Sequence, residues 1–259
     1  MPVVLVSDNG CYRLQLNRCD KNNALSPDML EGIYQHLVTV QSDSKARVLI
    51  IESNCEHFMV GGDIYYFAQL VSQPAQARRQ IIQPMLDQAQ MVIEIIATLD
   101  IPVIAVARGI VAGYGLSLVL ACDYVIALED SHFYSAYIDI GLTADGGQLW
   151  TLKEAVGLKR AKNMLLFNEK LLATDAKKLG LVDCLCQSDE QLDEKLTRLI
   201  KKLLQLPCNG FALLKKHLNA IEQLQETLIT EKALFLTQIA SDEFSCRINA
   251  FIERKSNQK

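Results

Sequence analysis

No apolar run in this sequence is long enough to cross a bilayer, so a membrane-spanning helix is excluded as its organising feature. A basic excess is missing too: 26 Lys and Arg against 30 Asp and Glu leave a net charge of −4. Neither nucleic acid nor a membrane surface is therefore expected as a partner, and an anionic ligand must find local cations. There is no C-x-x-C pair, and His36, His57, His132 and His217 stand apart from one another, so no metal site is expected. The eight cysteines, scattered through mostly apolar segments, read as reduced, buried thiols. Met1 to Val6 carry no basic n-region and run straight into a strand-like segment. Together with the thiols, this leads us to expect a cytoplasmic protein. Internal repeats, low-complexity tracts and linker-like stretches are also lacking.

What is present is enough apolar material for one sizeable core: 259 residues, 50% hydrophobic. Val3–Val6 and Tyr12–Asn17 read as strands around an Asn9-Gly10 hairpin turn. Ser26 is placed to cap a helix with Pro27 at its first position, followed by Leu30, Ile33, Tyr34, Leu37 and Val38 at helical spacing. Val48–Ile51, Ile101–Val106 and Tyr124–Leu128 read as buried strands. A long helix is expected over Ala75–Leu99, disturbed by Pro84. Short buried strands alternating with helices predict an α/β core covered on both faces. After Trp150 helical patterns dominate: Lys153–Phe167, Thr174–Leu179, Leu192–Leu206 and from Phe211 onward, with one late strand around Val182–Cys186.

Chemistry concentrates in three places. Phe58-Met-Val-Gly-Gly-Asp-Ile64 and Gly109-Ile-Val-Ala-Gly-Tyr-Gly-Leu-Ser117 each lie between a strand and a helix, where glycines allow close backbone approach and helix amides can face a polarised oxygen. Asp63 reads most simply as a helix cap. The second motif fails as a dinucleotide fingerprint, because Leu118 occupies the third glycine position. The third place is Phe133–Trp150, where Asp145 stands before Gly146-Gly147. It could be a buried base, a nucleophile or a helix cap. Asp139, in an alternating segment, is expected to face outward.

The order of these motifs resembles the crotonase (enoyl-CoA hydratase/isomerase) superfamily. The matching residues are Gly61-Gly62-Asp63-Ile64, the run from Ile101 through Arg108-Gly109, Ala112-Gly113-x-Gly115 and Ala121-Cys122-Asp123, and, outside it, Asn23-Ala24-Leu25, Phe133 with Gly141-Leu142, Ala173-x-x-Ala176-x-x-x-Gly180-Leu-Val182 and Phe251-Ile-Glu-Arg254. The resemblance implies an α/β spiral of repeated ββα units over residues 1–200 and a C-terminal helical trimerisation region over 201–259. It further implies a homotrimer or dimer of trimers, an acyl-CoA thioester substrate, and no cofactor beyond the coenzyme A carried by that substrate. The oxyanion-hole amides would be those of Gly62 and Tyr114, the bulk of Tyr114 narrowing the acyl pocket. Coenzyme A contacts would fall on Ala24, Leu25, Val60 and Ile64, and on Phe251 and Arg254 from a neighbouring subunit.

The two glutamates with which family hydratases activate water correspond here to Ser117 and Tyr137, which would instead line the acyl pocket. With both carboxylates lost, hydration is not the expected reaction. Asp145 falls where several isomerases carry an aspartate, and the pattern around it resembles single-aspartate isomerases of the phenylacetate-degradation type. One carboxylate suffices to shift a double bond from β,γ to α,β, its basicity raised by Ile140, Leu142 and Leu149. The alternatives are a hydratase-like lyase, an aryl-CoA dehalogenase-like enzyme with Asp145 as nucleophile, and a non-catalytic acyl-CoA binder.

Overall fold

Asn9 and Gly10, with φ of 48° and 80°, make the expected tight turn between β1 (Val3–Asp8) and β2 (Cys11–Leu16), which pair antiparallel. The computed structural model describes residues 1–256, so the last three positions of the expected 201–259 region lie outside the described residues. From β2 the chain crosses through α1 (Pro27–Ser42) to β3 (Val48–Ser53), which lies parallel to β2. Ser26 caps α1 as its sequence position predicts, accepting from the Met29 amide at 3.3 Å with Pro27 in the first turn. Then follow α2 (Ile64–Val71), α3 (Ala75–Thr98, with Pro84 inside it), β4 (Val103–Ala107), β5 (Ile110–Ala112) and α4 (Tyr114–Ala121).

The second half runs through β6 (Tyr124–Leu128), β7 (His132–Tyr134), α5 (Gln148–Leu166), β8 (Leu171–Leu172), α6 (Ala173–Lys178), β9 (Cys184–Cys186) and α7 (Asp189–Leu203). It closes with α8 (Cys208–Leu218), α9 (Ile221–Ile239) and α10 (Asp242–Ser256). A helix was expected only from Lys153; α5 starts five residues earlier, and Gly157, at φ 76°, interrupts it.

The strands form a six-stranded sheet in the order β1-β2-β3-β4-β6-β9 and a small sheet β5-β7-β8. Strands β4 and β6 enter the large sheet while the short strands after them, β5 and β7, pair in the small one. This is the ββα repetition of a crotonase-type spiral. The very short strands β5 and β7 are hard to see in sequence, because three residues cannot show a period.

Strand β3 is apolar without alternation because both its faces are covered. Leu49 and Ile51 pack into the main core with α1 and α3, while Val48 and Ile50 pack toward Leu192 and Leu196 of α7. A third cluster joins α2, α3, α9 and α10 through Phe67, Leu70, Ile82, Leu86, Phe235, Ile239, Phe244 and Ile248. Buried Arg78 ties that cluster together, donating to the carbonyls of Ile239 and Ser241 and to the Ser245 hydroxyl.

Two expectations about thiols are corrected. Cys19 and Cys55 form a disulfide, and Cys246 is exposed rather than buried. The partners are 36 residues apart, but β2 and β3 are parallel neighbours, so the segments leaving them emerge at the same end of the sheet. Among the described residues, no helix is long and apolar enough to cross a membrane and no group of three His, Cys, Asp or Glu could hold a metal ion.

Candidate active site

Two glycine turns meet at the centre of the molecule. Gly61 has φ 100° and Gly113 φ 56°, and a Cβ on Gly113 would lie 2.9 Å from the Gly61 Cα. Only backbone against backbone fits there. Isolated bridges between Met59 and Val111 and between Leu25 and Gly62 bring three loops into register. The Leu25 amide donates to the Gly61 carbonyl at 2.8 Å, and the Asp63 amide to the Leu25 carbonyl at 3.0 Å. The Gly62 amide, between them, donates no hydrogen bond within the described residues, nor does that of Tyr114 at the start of α4.

Buried Asn23 (φ 53°) braces this arrangement. Its amide group donates to Ser53 and to the carbonyls of His57 and Phe58, so the Ala24-Leu25 loop is fixed against the glycine loop. Asp63 is the helix cap its position suggests: it accepts from the Tyr65 and Tyr66 amides and pairs with Arg18 at 2.7 Å.

A cavity of about 550 Å³ opens between these loops and the third apolar cluster. Gly62, Tyr114, Asp145, Tyr137, Ala24, Leu25, Val60, Ile64 and Phe251 all line it. Its inner wall is apolar, with Phe67, Ile82, Met85, Leu86, Ala89 and Phe235, whereas Lys21, Lys170 and Lys255 stand among its polar lining. The Tyr114 side chain is almost fully buried. Its hydroxyl donates to the Ala89 carbonyl at 2.7 Å, which anchors the ring on α3.

Asp145 is half-buried, and burial pushes its carboxyl up from the ordinary 3.8 to about 6, against the lowering effect of a hydrogen bond from the Tyr137 hydroxyl. Burial and the Asp145 charge keep the Tyr137 phenol well above its usual range, so it stays a donor. Asp145 does not cap α5. The residue before that helix is Gly147, which supplies no side-chain cap. The capping carboxylate comes from α9: Glu231, fully buried, accepts from the Gly147 amide at 2.6 Å and the Leu149 amide at 2.8 Å. Asp139 faces outward as expected, accepting from Asn168, although it also borders the cavity.

Two of the expected site residues are placed elsewhere. Ser117 does not line the cavity: it is fully buried behind Asp145, donating to the Asp145 carbonyl at 2.7 Å and accepting from Gln148 at 2.9 Å. Its short side chain on α4 is engaged by that turn. Arg254 is exposed and donates back to the Ala250 carbonyl at 3.2 Å. One position on, Lys255 lines the cavity instead, its Nζ 5.3 Å from the Phe251 ring. Within its own chain α10 packs on α2 and brings Phe251 to the cavity.

Gln148 and Glu231 were missed from sequence. Gln148 links the Gly113 carbonyl (2.7 Å), Ser117 and Ser135 (3.1 Å), tying the second glycine turn to the Asp145 turn. Its proximity to Gly146-Gly147 was the only signal available. Glu231 lies in a Thr-Glu-Lys stretch that resembles any solvated helix face.

The family model described as enoyl-CoA hydratase/isomerase matches residues 7–258. The chain is 27% identical over 253 residues to the trans-2-decenoyl-(acyl-carrier-protein) isomerase of Streptococcus mutans, covering 96% of this chain and 94% of that protein. It is 26% identical over 253 residues to the 1,2-epoxyphenylacetyl-CoA isomerase of Escherichia coli, covering 97% and 95%. Among solved structures, an enoyl-CoA hydratase from Mycobacterium avium subsp. paratuberculosis superposes with a TM-score of 0.86 at 28% identity, over 96% of this chain and 98% of that one.

Proposed function

The chain belongs to the enoyl-CoA hydratase/isomerase family, two of whose similar members are isomerases named for an acyl-carrier-protein and an acyl-CoA substrate, and from that premise we propose that it shifts a double bond from β,γ to α,β in an enoyl thioester. One observation carries this reading. The buried-site acid Asp145 lines the same cavity as the unengaged Gly62 and Tyr114 amides, while the positions of the family's two water-activating glutamates are Ser117 and Tyr137.

In this mechanism the thioester oxygen lies against the Gly62 and Tyr114 N–H groups. Asp145 takes a proton from the α carbon, and the electron pair delocalises through the adjacent carbonyl onto that oxygen and through the β,γ double bond onto the γ carbon. Two backbone donors on the developing charge are worth about 3 kcal/mol each to the transition state. Protonated Asp145 then returns the proton at the γ carbon, the α,β double bond forms, and the oxygen's charge collapses. No water, metal or second acid takes part, and coenzyme A enters only as the carrier of the acyl group. The carboxyl value of about 6 leaves Asp145 mostly ionised at neutral pH yet basic enough for the first step. A hydratase reading would need a second acid beside Asp145, but both oxygens of Glu231, the buried acid on α9, are held by the α5 amides.

Ala24, Leu25, Val60, Ile64 and Phe251 flank the carrier in this reading, with Lys21, Lys170 and Lys255 supplying cations for its phosphates. The helical region 201–259 serves self-association, as a trimer or dimer of trimers. Exposed Leu213, Leu214 and Leu218 on α8 and Ile229 and Leu234 on α9 support that role.

The test is to offer the purified protein a β,γ-enoyl-CoA and an α,β-enoyl-CoA separately. Conjugation of the first, lost in Asp145→Asn with coenzyme A binding retained, is the expected result. Isomerisation untouched by that substitution, or hydration of the second substrate outpacing isomerisation of the first, would overturn it.

A further inference from the structure

We propose that Glu231 is a positioning residue: by capping α5 from another helix, it releases Asp145 from the capping role and keeps its carboxylate basic and turned into the cavity. The inference rests on Asp145 being the base.

A carboxylate two or three residues before a helix is ordinarily drawn to the free amides of the first turn, which stabilise its charge and make it a weaker base. Asp145 stands in that position relative to α5. The amides of Gly147 and Leu149, however, already point at the two oxygens of Glu231, at 2.6 and 2.8 Å. Gly146 and Gly147, at φ 68° and 83°, carry the chain through left-handed backbone between Asp145 and the helix. Neither can take a side chain: a Cβ on Gly146 would meet the Ser117 Cβ at 2.6 Å, and one on Gly147 the Leu224 side chain at 2.6 Å. The turn is thus clamped from both sides, by Ser117 on the Asp145 carbonyl and by Glu231 on the Gly147 amide. With its backbone held, Asp145 is left to bond Tyr137 through its side chain and to face the cavity.

Glu231 ionises after Asp145. Its carboxyl is pushed up to about 8, chiefly by burial, opposed by the two amides, with the Asp145 charge adding to the rise. At about 8 it is still protonated where Asp145 ionises near 6, so Glu231 acts on Asp145 through the two amides that it holds and not through a negative charge. The other titratable and charged groups around the cavity do not take over the two amides. Tyr114 of α4 and Tyr137 are neutral phenols, Asp63 is paired with Arg18, and Lys232 of α9 is paired with Asp87 of α3. Asp20, Asp139, Lys21, Lys170 and Lys255 border the cavity beside solvent-exposed loops and α10.

Glu231→Gln keeps the shape and sets an NH₂ against one of the two amides, which leaves that amide free to stabilise the Asp145 carboxylate. The measurement is the ¹³C titration of aspartate carboxyls, with the Asp145 signal assigned by its loss in Asp145→Asn. In Glu231→Gln its midpoint should fall by about one pH unit. The acid limb of kcat should move down with it, and plateau kcat should fall several-fold while KM stays constant. Glu231→Asp, which retains a carboxyl group to accept from the amides, should recover most of the midpoint. An unchanged midpoint in folded Glu231→Gln overturns the proposal. If that variant does not fold, Glu231→Asp decides: its shorter side chain reaches the amides less well, so its midpoint should still lie below that of the wild type, and an equal midpoint overturns the proposal. Because the titration needs no turnover, its failure is distinct from a failure of the isomerase reading, which shows as Asp145→Asn retaining activity.

Discussion

The Tyr137 hydroxyl donates a hydrogen bond to Oδ1 of Asp145, so the acid proposed as the base carries a phenol donor. The phenol lowers the basicity that burial raises, and the carboxyl comes to rest at about 6. Tyr137→Phe removes only that hydroxyl. The acid limb of kcat/KM should then move upward by about one pH unit or more, since a hydrogen bond to a charged group is worth roughly 1.5–3 kcal/mol. A pH–rate profile on a β,γ-enoyl-CoA checks this, and an unmoved limb would show that the bond does not tune the base.

Asp145→Asn should lower kcat/KM for isomerisation by about 10²–10⁴-fold, the usual worth of a positioned general base. In the wild type, activity should rise with pH through about 6, because the base works only when ionised.

The same carboxyl makes a stability prediction. Its folded value lies above the ordinary 3.8, so the folded protein holds the proton more tightly than the unfolded chain. Its contribution is therefore fully present below about pH 4 and is lost as pH rises through about 6. Asp145→Asn should thus match wild type in urea unfolding near pH 4 and exceed it at pH 8, by up to about 3 kcal/mol.

Gly113→Ala places a Cβ 2.9 Å from the Gly61 Cα at a residue with φ 56°. The two turns must separate, which should cost about 1–3 kcal/mol of stability and move the Tyr114 amide out of line. We expect a lowered urea midpoint together with a fall in kcat larger than any change in KM.

Lys255 and Arg254 should separate cleanly. Lys255 lines the cavity and Arg254 is turned along its own helix. Lys255→Ala should raise KM for an acyl-CoA roughly three-fold, in keeping with the modest worth of an exposed charge, and Arg254→Ala should leave it unchanged. Initial rates at low ionic strength provide the measurement.

Local chemistry was legible along the chain wherever neighbours in sequence are also neighbours in space. The Asn9-Gly10 turn, the Ser26 and Asp63 caps and the buried strands around Leu49, Ile104 and Ile126 follow from spacing, turn residues and apolar runs. The motif order placed Gly62, Tyr114 and Asp145 in one list, and they line one cavity. Only the tertiary structure decided what surrounds Asp145. Glu231 comes from a helix more than eighty positions later, Cys19 meets Cys55 because two strands lie parallel, and α10 turns Phe251 and Lys255 inward in place of Arg254. Helical periodicity states which residues share a face, but not what that face meets. For Glu231 the answer was two bare amides at the start of α5, and a contact of that kind forms only when the packed core has already brought the helices together.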